Sequence, residues 1–100
     1  MDKTIPTRIY KLLGADKLSR IYKCHTFHAT ENSLEFCIRN DEINFIKEDI
    51  NFIKINHDAE TDLFDISFRL YDYFGVEVIT EYIDVHPTYL RDIVFKTMGW

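Results

Sequence analysis

An α+β domain built around an antiparallel sheet is the fold class this chain predicts. Three observations predict it. Apolar and polar residues alternate with period two over residues 34–39 and 64–70, clusters of turn-forming residues separate such segments, and the clearest helical spacing lies at the two ends. The expected architecture is short N-terminal helices, a four- to five-stranded antiparallel sheet, and a C-terminal helix packed on one face. With 100 residues, one domain spans the chain.

The first element is TRIYKLLG. Ile9, Leu12 and Leu13 fall at helical spacing, and Gly14 is placed to stop the helix in a left-handed residue. Asp16 then opens a second short helix through Leu18 and Ile21. Basic residues lie on the outside of both, which fits either a DNA-reading pair of helices or a basic amphipathic packing segment. The helices are short and carry few polar residues suited to reading bases, which favours packing.

A hairpin follows in HTFHATENSLEFCIRN. Glu31-Asn32-Ser33 marks the turn. Setting Ala29 opposite Leu34 puts Phe27 across from Phe36 and His25 across from Ile38. That register sorts Phe27, Ala29, Leu34, Phe36 and Ile38 onto one side, and Cys24, Thr26, His28, Glu35, Cys37 and Arg39 onto the other.

The pentapeptide INFIK occurs twice, at Ile43–Lys47 and at Ile50–Lys54. Two copies are too few for a repeat architecture or a coiled coil. The second copy reads as a strand. With His57 opposite Asp62, Ile55 meets Phe64, Ile53 meets Ile66, and Lys54 meets Asp65. The first copy fits either a short strand or a helical segment. A last hairpin spans YDYFGVEVITEYIDV, with Phe74-Gly75 as its turn and Tyr73 opposite Val76. Ile79 then faces Leu70, Ile83 faces Ile66, and Val85 faces Phe64. This register has two flaws: Asp72 opposes Glu77, and Glu81 lands on the core side beside Phe68. A helix over Asp62–Phe74 is the rival. Finally, His86-Pro87-Thr88 starts a helix with proline near its first position, Leu90, Ile93, Val94 and Met98 form its stripe, and Gly99 ends it. The expected core is Phe27, Leu34, Phe36, Ile38, Ile53, Ile66, Phe68, Ile79, Ile93 and Val94.

The 46% hydrophobic and 15% aromatic content suits a folded globule rather than a disordered chain. No basic stretch leads into an apolar run, and no apolar run is long enough to cross a bilayer. A cytoplasmic location is therefore the expectation. The net charge of −5 is unevenly laid out. Residues 1–30 hold Lys3, Arg8, Lys11, Lys17, Arg20 and Lys23 against Asp2 and Asp16, while residues 31–100 hold the other six basic residues against fifteen acidic ones. An acidic body repels nucleic acid and membrane phosphates and steers basic partners inward.

Chemistry-bearing constellations are sparse. Cys24, His25, His28 and Cys37 are the clustered soft ligands, but four residues along a strand cover ~13 Å, too far for two bonds of ~2 Å to one metal ion. No metal site or cofactor is expected. Two cysteines make no disulfide framework, and Cys24 and Cys37 are poorly placed for a bond. No nucleophile elbow or phosphate-cradling loop is present among three glycines, so the chain reads as a non-enzyme.

What remains is tyrosine beside carboxylate. The hairpin register above sets Asp65, Tyr71, Tyr73, Tyr82 and Asp84 on the face away from Phe64, with Asp58, Glu60 and Asp62 in the adjoining loop. Such a surface has the composition of protein-binding hot spots, unless a helix covers it. The expected role is a small acidic inhibitor, in the manner of toxin-immunity and phage counter-defence proteins, that masks a basic nuclease or nucleic-acid-binding partner. No motif is shared with those proteins; the likeness is one of physical type. Two other roles fit the same sequence: a regulator or adaptor touching nucleic acid through residues 3–23, and a structural homodimer joined through its sheet.

Overall fold

Alternating strands joined by tight turns build a five-stranded antiparallel sheet in simple sequential order, so the general class is α+β. The computed structural model describes residues 3–38 and 50–98. Helix α1 runs Thr4–Leu13 and α2 runs Ala15–Tyr22. Strands β1 (His25–Ala29), β2 (Ser33–Cys37), β3 (Phe52–Asp58), β4 (Leu63–Asp72) and β5 (Gly75–Val85) follow. A 3₁₀ turn at Pro87–Tyr89 leads into α3, Leu90–Met98. The first INFIK copy, Ile43–Lys47, and the stop at Gly99 lie outside the described residues.

Local chemistry explains the ends of these elements. Gly14 takes the left-handed conformation at φ 63°, and its N–H donates to the Lys11 carbonyl at 3.1 Å, closing α1 as its spacing predicts. The same residue, and not Asp16, occupies the cap position of α2; Asp16 lies two residues on, in the first turn. At the other end, the Thr88 N–H donates to His86 Nδ1 at 3.2 Å, and Pro87 occupies a position where its missing N–H costs nothing.

One face of the sheet makes the core. Leu34, Phe36, Ile53, Ile55, Phe64, Ile66 and Phe68 point inward and join Ile9 and Leu13 of α1 and Leu90, Val94, Phe95 and Met98 of α3 in one buried cluster. Seven of the ten expected core residues are buried there, and Ile79 and Ile93 pack against its margin. Phe27 is the exception at 42% exposed. β1 carries an extra residue between His25 and His28, where Thr26 has φ 56°, so His25 pairs with Cys37 instead of Ile38. The Phe27 ring still reaches Phe36, at 5.2 Å between centroids, but only from the rim.

Two further registers differ from the sequence reading. On β3 and β4, Ile55 pairs with Ile66, Ile53 with Phe68, and His57 with Phe64, because the connecting loop takes residues 59–62. The slip is two residues, so every side chain keeps its face. Lys54 therefore lies across from Ser67 instead of Asp65 and approaches Glu35 on its other side, at 3.9 Å. On β4 and β5, Phe64 pairs with Val85 as expected, but the turn is Tyr73-Phe74, with Asp72 opposite Gly75. Two extra residues on β5 account for the change. Ile79 has no counterpart between Phe68 and Arg69, and Ile83 with Asp84 stands opposite Asp65 alone. Between these bulges the strand is turned over. Tyr82 meets Ile66 on the core side, while Glu81 meets Ser67 on the outside. The rival helix over residues 62–74 gives way to β4.

Candidate functional site

The β4–β5 hairpin is longer than the sheet it belongs to. β3 accompanies β4 only as far as Phe52 opposite Arg69, so Leu70–Asp72 and Gly75–Glu77 form an arm beyond it. Asn51 extends the ladder by imitation. Its main-chain N–H donates to the Arg69 carbonyl at 3.0 Å, its Nδ2 donates to the Tyr71 carbonyl at 2.9 Å, and its Oδ1 accepts from the Tyr71 N–H at 2.8 Å. A side-chain amide thus takes the place of the next strand residue. At the tip, Gly75 has φ 122°, a conformation other residues rarely adopt, and Tyr73 and Phe74 stand wholly in solvent.

The predicted contact residues divide into three groups. Tyr71, 62% exposed, lies opposite the half-exposed Val76 on the face away from the helices, and Arg69 lies opposite Val78 on that same face. Tyr73 belongs to the tip. Asp65 is on the outer face too, where Oδ1 accepts the Asp84 N–H at 3.1 Å and so holds the bulge at Asp84 (φ 56°).

Tyr82 does not join them. It was expected beside Tyr71 and Tyr73, and the bulge turns it to the core side. There its ring meets Phe68 edge-on at 6.2 Å, and its hydroxyl accepts from Thr97 Oγ1 at 3.4 Å. Ile83 takes the exposed place instead, at 66%. Together with Tyr82, Tyr89 and Ile93 it lines an apolar groove of about 470 Å³ between β5 and α3, with Asp84 and Asp92 at its margin. The chain pattern around Glu81 was the signal for this groove, since only a bulge takes that carboxylate off the core.

The acidic loop is less free than its sequence suggests. Asp58 Oδ1 accepts the Glu60 N–H at 2.9 Å, which shapes the loop, and Glu60 is exposed. Asp62 is a fastening. Its two oxygens accept from Arg8 Nη1 at 2.6 Å and Nη2 at 3.0 Å, and His57 Nε2 lies 2.7 Å from Oδ1. Hydrogen bonds from Arg8 first, then His57, hold the Asp62 carboxyl well below the usual carboxylate range. The Arg8 guanidinium also sits over the Phe64 ring at 5.6 Å. Arg8 therefore ties α1 to the β3–β4 loop. Reversing the charge of Asp62 would break that tie, so it is not a neutral loop position.

The soft-ligand residues do not converge. Among the described residues, no three of His, Cys, Asp or Glu stand close enough together to hold a metal ion. Cys24 and Cys37 form no disulfide, and burial pushes the Cys24 thiol up to about 12. No helix among the described residues is long and apolar enough to cross a membrane. Comparison with known proteins finds no family model, no curated protein and no solved structure that matches this chain.

Proposed function

We propose that this protein is a small acidic binding module that inhibits a basic, nucleic-acid-acting protein by covering its cationic surface. The observation that carries the reading is the hairpin with its adjoining loop. From Asp58 to Asp84 the chain holds eight acidic residues and a single basic one, Arg69, alongside the exposed Tyr71, Tyr73 and Phe74. In this reading the N-terminal helices and α3 close one face of the sheet and leave the other for the partner. Carboxylates would raise the association rate, and exposed aromatic rings would anchor the complex. The reading assigns no catalytic step, no cofactor and no membrane contact.

The test is capture from the native source, followed by binding kinetics with the captured partner. Glu60→Lys reverses a loop charge without touching the Asp58 turn bond or the Asp62 fastening. It should slow association and leave dissociation nearly unchanged, and added salt should do the same to the wild type. Tyr71→Ala should weaken the complex by about 2 kcal/mol if that ring is an anchor. If the acidic variant binds normally while Lys11→Glu or Arg20→Glu abolishes binding, the acidic reading fails and the basic N-terminal segment is the site.

A further inference from the structure

The hairpin tip has a counterpart at the other edge of the same molecule. Between α1 and β1 lies an apolar groove of about 270 Å³, floored by Ala29 and Leu34, walled by Tyr10 and Phe27, and rimmed by Lys3 and Lys11. Its aromatic walls are preset. Tyr10 and Phe27 meet edge-on at 5.8 Å, and the Tyr10 hydroxyl is held by Asp16 Oδ1 at 3.3 Å. The tip offers the complement: two aromatic residues, Tyr73 and Phe74, wholly exposed at the end of an arm and followed by the exposed Glu77.

We infer that the Tyr73–Phe74 tip of one molecule docks into the Lys3- and Lys11-rimmed groove of a second copy, so that the protein assembles head to tail. A molecule cannot fill its own groove. β1 and β5 are opposite edges of a five-stranded sheet, and four interstrand steps separate them by roughly 19 Å. Charge favours a copy of this chain as the occupant. Exposed Lys3 and Lys11 rim the groove, while exposed Glu77 follows the tip two residues after Gly75. Head-to-tail contact thus sets Glu77 beside the two lysines, while groove-to-groove or tip-to-tip contact sets equal charges together. A heterologous contact of this kind uses different surfaces on its two members and leaves one of each free, so it extends the chain of molecules instead of closing a dimer. The inference does not depend on the proposed inhibitory role. Because Tyr73 serves both, assembly and partner capture compete for the same residue.

Complementary variants test it by sedimentation velocity. The tip variant is Tyr73→Ser/Phe74→Ser; the groove variant is Lys3→Glu/Lys11→Glu. All four positions are surface sites, and circular dichroism checks that both variants fold. The wild type should show an average mass that rises above the 12.0 kDa chain with concentration and falls back with added salt. Each variant alone should remain monomeric. Mixed in equal amounts they should form a dimer and nothing larger, since the mixture restores one tip and one groove. A wild type that stays monomeric at every concentration overturns the inference. So does either variant associating alone, or a mixture that stays monomeric.

Discussion

Asn51→Ala is the sharpest test of how the hairpin arm is held. The substitution keeps the main-chain bond from residue 51 to the Arg69 carbonyl and deletes the two side-chain bonds to Tyr71, at 2.8 and 2.9 Å. Each such bond is worth about 0.5–1.5 kcal/mol net, and both are solvent-exposed, so about 1–2 kcal/mol of arm stability should go. A two-stranded ribbon without a third neighbour is marginal in water, so the loss should show as local opening rather than global unfolding. With 1.4 kcal/mol per factor of ten, arm amides that keep their cross-strand partners, as in the Leu70–Glu77 pair, should exchange about 5- to 30-fold faster, and the Tyr71 amide, which loses its own acceptor, at least as much faster. Native-state hydrogen exchange followed by NMR reads this residue by residue. Amides within β3, such as Ile55, should keep the wild-type rate where they open only globally. Wild-type exchange at Tyr71 would show that the side chain of Asn51 does not latch the arm. Equal acceleration at Tyr71 and Ile55 would show that Asn51 serves the whole fold, which would also refute the reasoning.

Three further outcomes follow from the core, the fastening and the thiols. Phe68 is wholly buried at the middle of β4, so Phe68→Ala should cost about 3–5 kcal/mol, read as a lowered urea midpoint at unchanged slope. Asp62 has its carboxyl lowered by Arg8 and His57, so its contribution to stability is complete above the unfolded carboxylate value of roughly 4 and is lost as pH falls through the lower folded value. Arg8→Met should therefore flatten the acid limb of an unfolding-versus-pH curve; an unchanged limb would deny the fastening its role. Cys24, pushed up to about 12 by burial, should resist alkylation at mildly basic pH in the folded protein and react on unfolding, as peptide mass analysis would show.

Patterns that repeat every two residues were readable in the sequence, and insertions into them were not. Leu34, Phe36, Ile53, Ile66 and Phe68 are buried as alternation requires, because a strand with one face in the core must keep its parity. Loop position is weaker information, since residues 58–61 and residues 59–62 both make a four-residue turn. The two-residue slip between β3 and β4 leaves the same residues inward, so hydrophobic pattern alone cannot choose between the two registers. Bulges break the rule, at Thr26 on β1 and at Ile79 and Ile83 on β5. Phe27, Glu81, Tyr82 and Ile83, which the sequence reading misplaced, all lie in or near one. The β5 bulges had left a trace in the uninterrupted register, where Asp72 opposed Glu77 and Glu81 sat beside Phe68. In the structure Asp72 opposes Gly75, Glu77 opposes Leu70, and Thr80 opposes Phe68. Each conflict disappears when a residue is inserted, so an unfavourable pair in an otherwise good register is itself a sign of a bulge. The Arg8–Asp62 fastening had no such trace, since it joins residues 54 apart that no local pattern connects.

The same bulges shape the surface offered to the proposed partner. In an unbroken ladder, Tyr71, Tyr73 and Tyr82 would share one flat face with Asp65 and Asp84. Two inserted residues divide that surface instead. Tyr71 and Val76 stay on the outer face, while Tyr82 turns to the helix side and brings Ile83 to the rim of the groove against α3. Tyr73 and Phe74 stand between, at the tip. A partner lying flat on the sheet meets only the first group and the acids around it. A partner that clasps the hairpin meets all three, and it also gains the concave apolar surface that Tyr89 and Ile93 supply, where buried side chains contribute most to affinity. Clasping is therefore the geometry in which this hairpin would hold a partner most tightly, and it brings the acidic residues of both faces against that partner.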